Sequence, residues 1–590
     1  MAGDYREIIE TKVLGPARFK QLWSAAYFPA FPVALANFPV GGLLPAVLYL
    51  ARWGHRRGNG RFAETFRSRE GARVTIGDIA HKLIEEGKVK IEGAAGEAIL
   101  ADLLAGHCFD TKNGEARSHS PVLRAYPVHY LASWLDVDTF SHLRGVPELL
   151  TALLADQREG ETVGWTGDKK GGHFQVGGGY EHNLLLHTLG PAMRIVGHAS
   201  SLTSDYFDAS QADGLTLEQV LMVQTALLVG EAPGKARGAR PEIPNQQPIA
   251  RQQAAIFRDD LRIFLEAYHQ VMPWQAFVAF LEVAIGIGLF TTFLATAQLL
   301  FAWEQSGELP QEDSAWPIFV DVSNGSDHRL RQLSEESLEQ AYRAMESLPV
   351  VMATLRVLDT FASAHPVFKN RLPPAFPDGR DRINALGDIY HQRFPQSYRL
   401  LDQIEDCCQQ LAAELENEEL APDVVLLLRS DTIPAPARLG EAIVRLMGPV
   451  SQEENFVKFL SSCLIGTETS PLSLVRRRRA RRNNRIRDAR SLVLNNTALD
   501  YLVHRHLRKN GKHRRSRLTF LGFLDILRDH YGLYVDEAPP GMTVPAELLL
   551  QSRWTLERRL RDQGLLIGVN DAESMKFLRS RLAEVAPVAL

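Results

Sequence analysis

Only four cysteines occur among the 590 residues: Cys108, Cys407, Cys408 and Cys463. Two of them are adjacent and none forms a CxxC pair, which argues against a disulfide framework and against a structural zinc site. A reducing cytoplasm is the expected location. The opening stretch, MAGDYREIIETKVLG, lacks the apolar core of a secretory signal. Strand-like runs are scarce too, and the best are GKVKIEG near Lys88 and DVVLLLRSD near Val424. What is abundant is ordinary globular material, 45% hydrophobic and 23% charged, in a chain long enough for about two to four domains.

Two apolar stretches raise the question of a membrane. The segment from Trp274 to Trp303 carries one charge, Glu282, and is long enough to span a bilayer. It has no lysine or arginine cluster close to either end, and it contains Gln298 and three threonines. A buried central helix is therefore expected. The segment from Tyr27 to Trp53 carries four prolines, which would repeatedly break a spanning helix.

Helical periodicity dominates elsewhere. GEAILADLLAG, VPELLTALLADQ and QSYRLLDQIEDCCQQLAAELENEEL repeat apolar residues at three- and four-residue spacing. The longest such run follows Asp327, and Pro349 is expected to kink or divide it. Eight glycines among the twenty residues from Gly160 to Gly179 interrupt the pattern, as do four prolines between His365 and Arg382 and the stretch from Gly466 to Leu474. These breaks suggest an N-terminal helical domain at 1–158, a glycine-rich linker at 159–182 and a central helical domain at 183–365. A helical connector at 366–470 and a basic module at 471–590 follow. The fold class expected is mainly α and multi-domain, ending in a helix-turn-helix or winged-helix module.

Catalytic signatures are missing. The nearest approach to a phosphate-binding loop, VGEAPGKARG, has Val229 for its first glycine and Ala236 for its hydroxyl. GDKKGGHFQVGGG has no strand pattern before it, as a dinucleotide fold requires. His182, His187 and His198 fall close together, but His182 and His187 are five apart and point about 140° from one another on a helix. The His-Asp doublet of the metal-dependent phosphohydrolases is absent. No metal and no cofactor are expected.

The sharp feature is LVRRRRARRNNRIRDAR, with nine arginines between Arg476 and Arg490. From Arg476 to Arg517 sixteen lysines or arginines face only Asp488 and Asp500, although the whole chain is net −4. Segregation of this kind builds a single-sign field that mere solubility does not need. Guanidinium groups form bidentate hydrogen bonds to phosphate, and each neutralised phosphate releases counterions. The candidate nucleic-acid contacts are Arg476, Arg477, Arg478, Arg479, Arg481, Arg482, Arg485, Arg487 and Arg490, then Lys512, Arg514, Arg515 and Arg517, and finally Arg553, Arg558 and Arg559. The last three lie on a helical pattern, VPAELLLQSRWTLERRLRDQG, whose cations could face a groove.

Helices are expected over TALDYLVHRHLRK, capped by Asn496 or Thr497, and over TFLGFLDILRDHYG, capped by Thr519 and ended at Gly532. LYV and LLI are expected as short strands, and AESMKFLRSRL as a last helix capped by Asp571. With SLVLNNTALDYLVHRHL and RWTLERRLRDQGLL, roughly the last hundred residues resemble large subunits from bacterial anti-phage defence islands. Taken with the basic module, that resemblance points to a DNA-binding, non-catalytic subunit of a bacterial DNA-handling or anti-phage defence complex in the cytoplasm, with DNA or RNA and other subunits as partners. A divergent nuclease or phosphohydrolase, or an adaptor docking an acidic protein, are the alternatives.

Overall fold

The computed structural model describes residues 2–23, 26–67, 72–93, 95–111, 119–137, 143, 145–154, 157–158, 161–162, 165–166, 173–174, 184–195, 205–236, 247–375, 378–466, 470, 472–482, 485–509, 517–568 and 576–582. Among them the chain is mainly α-helical, with paired strands of no more than eight residues. One hydrophobic core runs through the molecule, with members from Ile8 to Leu578.

At its centre lies the 33-residue helix Trp274–Ser306. It is apolar all round, so no face of it tolerates water and every face must be covered. The helices Arg251–Tyr268, His328–Ala364, Pro449–Cys463 and Asn496–His506 cover it. Aromatic rings mark the contacts: Phe277 stacks on Phe264 at 5.2 Å, and Phe293 meets Phe459 edge-on at 5.1 Å. Glu282 is the buried exception, and Arg124 reaches it at 2.8 Å. Burial raises the Glu282 pKa, and the Arg124 charge opposes that shift.

The long helix His328–Ala364 starts where the Asp327 carboxylate accepts hydrogen bonds from the amides of Arg329 and Leu330. Pro349 does not divide it, and the 37 residues form one element. An interior proline costs about 3 kcal/mol, which burial of Leu348, Val351, Met352 and Leu355 on the same stretch can offset. Two strand expectations fail. Residues near Lys88 form turns and bends, and DVVLLLRSD gives the helix Pro422–Leu428, with Pro422 in its first turn. Proline suits that position because its missing N–H would be unpaired there anyway.

The last part of the chain is joined to the centre by short parallel pairings. Ile318–Phe319 pairs in parallel with Leu533–Tyr534, and two residues on Asp321 bridges Val493. Three helices follow one another here: Asn496–His506, Phe520–Tyr531 and Ala546–Asp562. The first is capped by Asn495, whose side chain accepts from the Ala498 amide, one residue before the expected cap. Thr519 caps the second, and Gly532 ends it at φ 67°. Leu566–Ile567 pairs antiparallel with Phe577–Leu578, and Thr519 bridges Phe577 from the other side. The expected last helix is thus replaced around Phe577 by a strand, and Asp571 lies outside the described residues.

Candidate nucleic-acid interface

The arginine run is a β-hairpin. Val475–Arg482 pairs antiparallel with Arg485–Leu492 through eight residue pairs, and Asn483 and Asn484 lie between the two strands. The hairpin is anchored at its apolar base. Val475 and Leu492 are partners and both are buried, while the Leu492 carbonyl accepts from the Asp321 amide at 2.9 Å and from the Ser334 hydroxyl at 3.0 Å.

From that base the strands pass along the long helix. Side chains alternate between the two faces of a strand, and the two faces meet different neighbours. On one face Arg476 donates to the Asn324 side chain at 3.1 Å, and Arg478 makes a fork to both oxygens of Glu335 at 2.6 and 2.7 Å. The Glu335 hydrogen bonds raise the Arg478 pKa further above its usual value. On the other face the Arg490 guanidinium lies 5.5 Å from the Tyr342 ring centroid. Burial raises the Tyr342 pKa, and the charges of Arg490 and Arg477 oppose that shift.

The register sets arginine against arginine. Arg477 is the cross-strand partner of Arg490, and Arg482 is that of Arg485. Like charges directly opposite one another destabilise a strand pair by about 0.2–1 kcal/mol. One opposed pair compensates, Arg479 with Asp488, both exposed. Side chains of Arg481, Arg482, Arg485 and Arg487 lie outside the described residues, as do Lys512, Arg514 and Arg515 entirely.

The remaining candidates separate. Arg517 is exposed and stacks 5.0 Å from the Phe577 ring centroid. Arg553 is half-buried near Asp536, while the Arg558 side chain is 83% exposed with Asp562 at 3.8 Å. Arg559 turns inward and hydrogen-bonds the carbonyls of Val322 at 2.5 Å and Leu494 at 2.6 Å, and the Asn496 side chain at 2.7 Å. Burial lowers its pKa, and the charge of Asp321 opposes that shift. This arginine is bound up in joining three segments of backbone.

The loop from Asp321 to Asp327 connects hairpin and helix. Asp321 accepts from the amides of Ser323 and Gly325 and folds the loop tightly. The Arg476 side chain packs at Gly325, while Gln551 of the helix Ala546–Asp562 bonds Asp327 and accepts from Arg329. Asn324, Glu335 and Tyr342 escaped notice in the sequence because they lie over a hundred residues before the arginines they hold. No group of three or more His, Cys, Asp or Glu that could hold a metal occurs among the described residues. His182 and His198 lie outside those residues, and so does the side chain of His187, on the helix Leu184–Leu189.

Comparison with known protein families matches residues 197–581 to the family described as methylation-associated defense system protein MAD7. The match takes in the central helix, the long helix, the hairpin and all three helices after it. The chain belongs to this family. Membership makes it an anti-phage defence protein. The likeness to defence proteins extends well beyond the last hundred residues that carried it in the sequence. No curated protein matches the chain.

Proposed function

We propose that this member of the defence family is a cytoplasmic, non-catalytic, DNA-holding subunit that works with other subunits of its system. The observation that carries this reading is the Arg477–Arg490 register. Such a pair is unfavourable in water and becomes favourable when a phosphate chain runs beside it, because bound cations release the counterions of the duplex. A two-stranded ribbon also fits the major groove of B-DNA.

After the hairpin, the order helix, bridged Thr519, helix, helix, strand and strand resembles that of a winged helix, with Thr519 and Leu566 on either side of the last strand, which is in keeping with a nucleic-acid-handling role. A divergent nuclease is the competing reading, and turnover of plasmid by the pure protein with magnesium or manganese would favour it.

Salt dependence tests the proposal. With about six phosphate contacts, log K falls against log salt with a slope near −5. Replacing exposed Arg477 and Arg479 with glutamine is expected to flatten the slope by about 2. Replacing Arg476 and Arg478 is expected to change it less, because Asn324 and Glu335 already engage them. Binding isotherms at four salt concentrations measure both. An unchanged slope in the Arg477→Gln, Arg479→Gln variant would refute a phosphate-gripping hairpin.

A further inference from the structure

The helix Ala546–Asp562 buries Ser552, Leu556 and Leu560 and turns its opposite side to solvent. There Leu550 is 49% exposed and Trp554 66% exposed. Glu547 and Arg558 are exposed on the same face, since residues three and four apart stack along a helix. The charge on this face is balanced, with Glu547 and Asp562 against Arg558 and Arg561. That balance separates it from the hairpin and makes it a poor surface for a polyanion. Tryptophan and arginine around an apolar centre are instead the composition of protein contact sites.

We infer that this face binds a second copy of the same chain, the two helices lying antiparallel about a two-fold axis. The spacing of the face is self-complementary in that arrangement. A two-fold axis brings together residues equidistant from one centre. Ser552 lies midway between Leu550 and Trp554, and within half a residue of midway between Glu547 and Arg558. One register therefore sets each Leu550 against the partner's Trp554 and each Glu547 beside the partner's Arg558. The mismatch between the two pairings is one helical rise, about 1.5 Å, well within the reach of Glu and Arg side chains. Parallel helices would bring Glu547 to Glu547 and Arg558 to Arg558. The Arg558 guanidinium is available, since its contact with Asp562 spans 3.8 Å on the exposed surface. A single helix face offers less than the roughly 800 Å² per partner of a standard interface. The association is therefore concentration-dependent, with a dissociation constant on the order of 1–100 µM.

The inference does not rest on DNA binding, and its test contains no nucleic acid. Sedimentation equilibrium of the full chain over that concentration range is expected to show a monomer–dimer equilibrium. Trp554→Asp should raise the dissociation constant more than tenfold while leaving the thermal transition in place, because the side chain is mostly exposed. Glu547→Arg and Arg558→Glu should each weaken the dimer, and the two together should restore it. A native chain that stays monomeric throughout would overturn the inference, as would a dimer indifferent to Trp554→Asp or a double reversal that fails to restore association.

Discussion

His129 has no exposed surface, and both of its ring nitrogens are engaged. Nε2 donates to the Pro191 carbonyl at 2.9 Å, and Nδ1 accepts from the Leu131 amide at 3.2 Å. Burial lowers its pKa from 6.5 to about 4. The unfolded chain then takes up a proton at a pH where the folded chain does not. The stability this histidine contributes is complete above pH 6.5 and is lost as pH falls towards 4. Between pH 6.5 and 5 the loss is about 2 kcal/mol. Urea melts at those two pH values should show that difference shrink in His129→Gln, whatever the variant's stability at neutral pH. At this scale the sequence is a poor guide. Arg558 and Arg559 are the same letter in adjacent places, yet one is exposed and the other joins Val322, Leu494 and Asn496. Only the helical phase, set by Leu556 and Leu560 on the buried side, separates them.

The central helix approaches its neighbours more closely than its bulky residues suggest, and two glycines make this possible. A Cβ on Gly286 would overlap the Cys463 carbonyl, and one on Gly288 would run into the Phe257 ring. The first obstacle is backbone and has little freedom to move. The second is a buried ring packed at the helix crossing. Gly286→Ala and Gly288→Ala should each destabilise the fold by about 1–3 kcal/mol, with the larger effect at Gly286, as chemical denaturation can measure. The central helix itself was legible because thirty mostly apolar residues with one charge leave few alternatives. The hairpin was not. A half-buried strand shows itself by alternating apolar and polar residues, and arginine at nearly every position erases that alternation. The apolar run in DVVLLLRSD misled in the opposite way, since an apolar stretch this short does not distinguish strand from buried helix.

Across the whole molecule, charges taken out of water tie the C-terminal helices to the centre. Asp260, on the helix Arg251–Tyr268, faces Arg505 at 2.7 Å and accepts from the Tyr531 hydroxyl at 2.6 Å, and all three groups are buried. Burial raises the Asp260 pKa, and the charge of Arg505 opposes that shift. Asp260→Ala strands a buried guanidinium and should cost about 3–5 kcal/mol, much of which an apolar replacement of Arg505 in the same chain should recover. Denaturation of the single and double variants checks this. The sequence marks a change of composition near residue 470, and that change of charge is real. Position along the chain says nothing of the buried contacts that cross it. The central helix gives these long-range contacts a consequence in time. It leaves the ribosome well before the helices Pro449–Cys463 and Asn496–His506 that cover part of it. At roughly 5–20 residues per second, the last of its covering arrives some ten to forty seconds later. Throughout that interval part of the one helix among the described residues long and apolar enough to cross a membrane stays uncovered, the kind of apolar surface that makes an incomplete chain prone to aggregate.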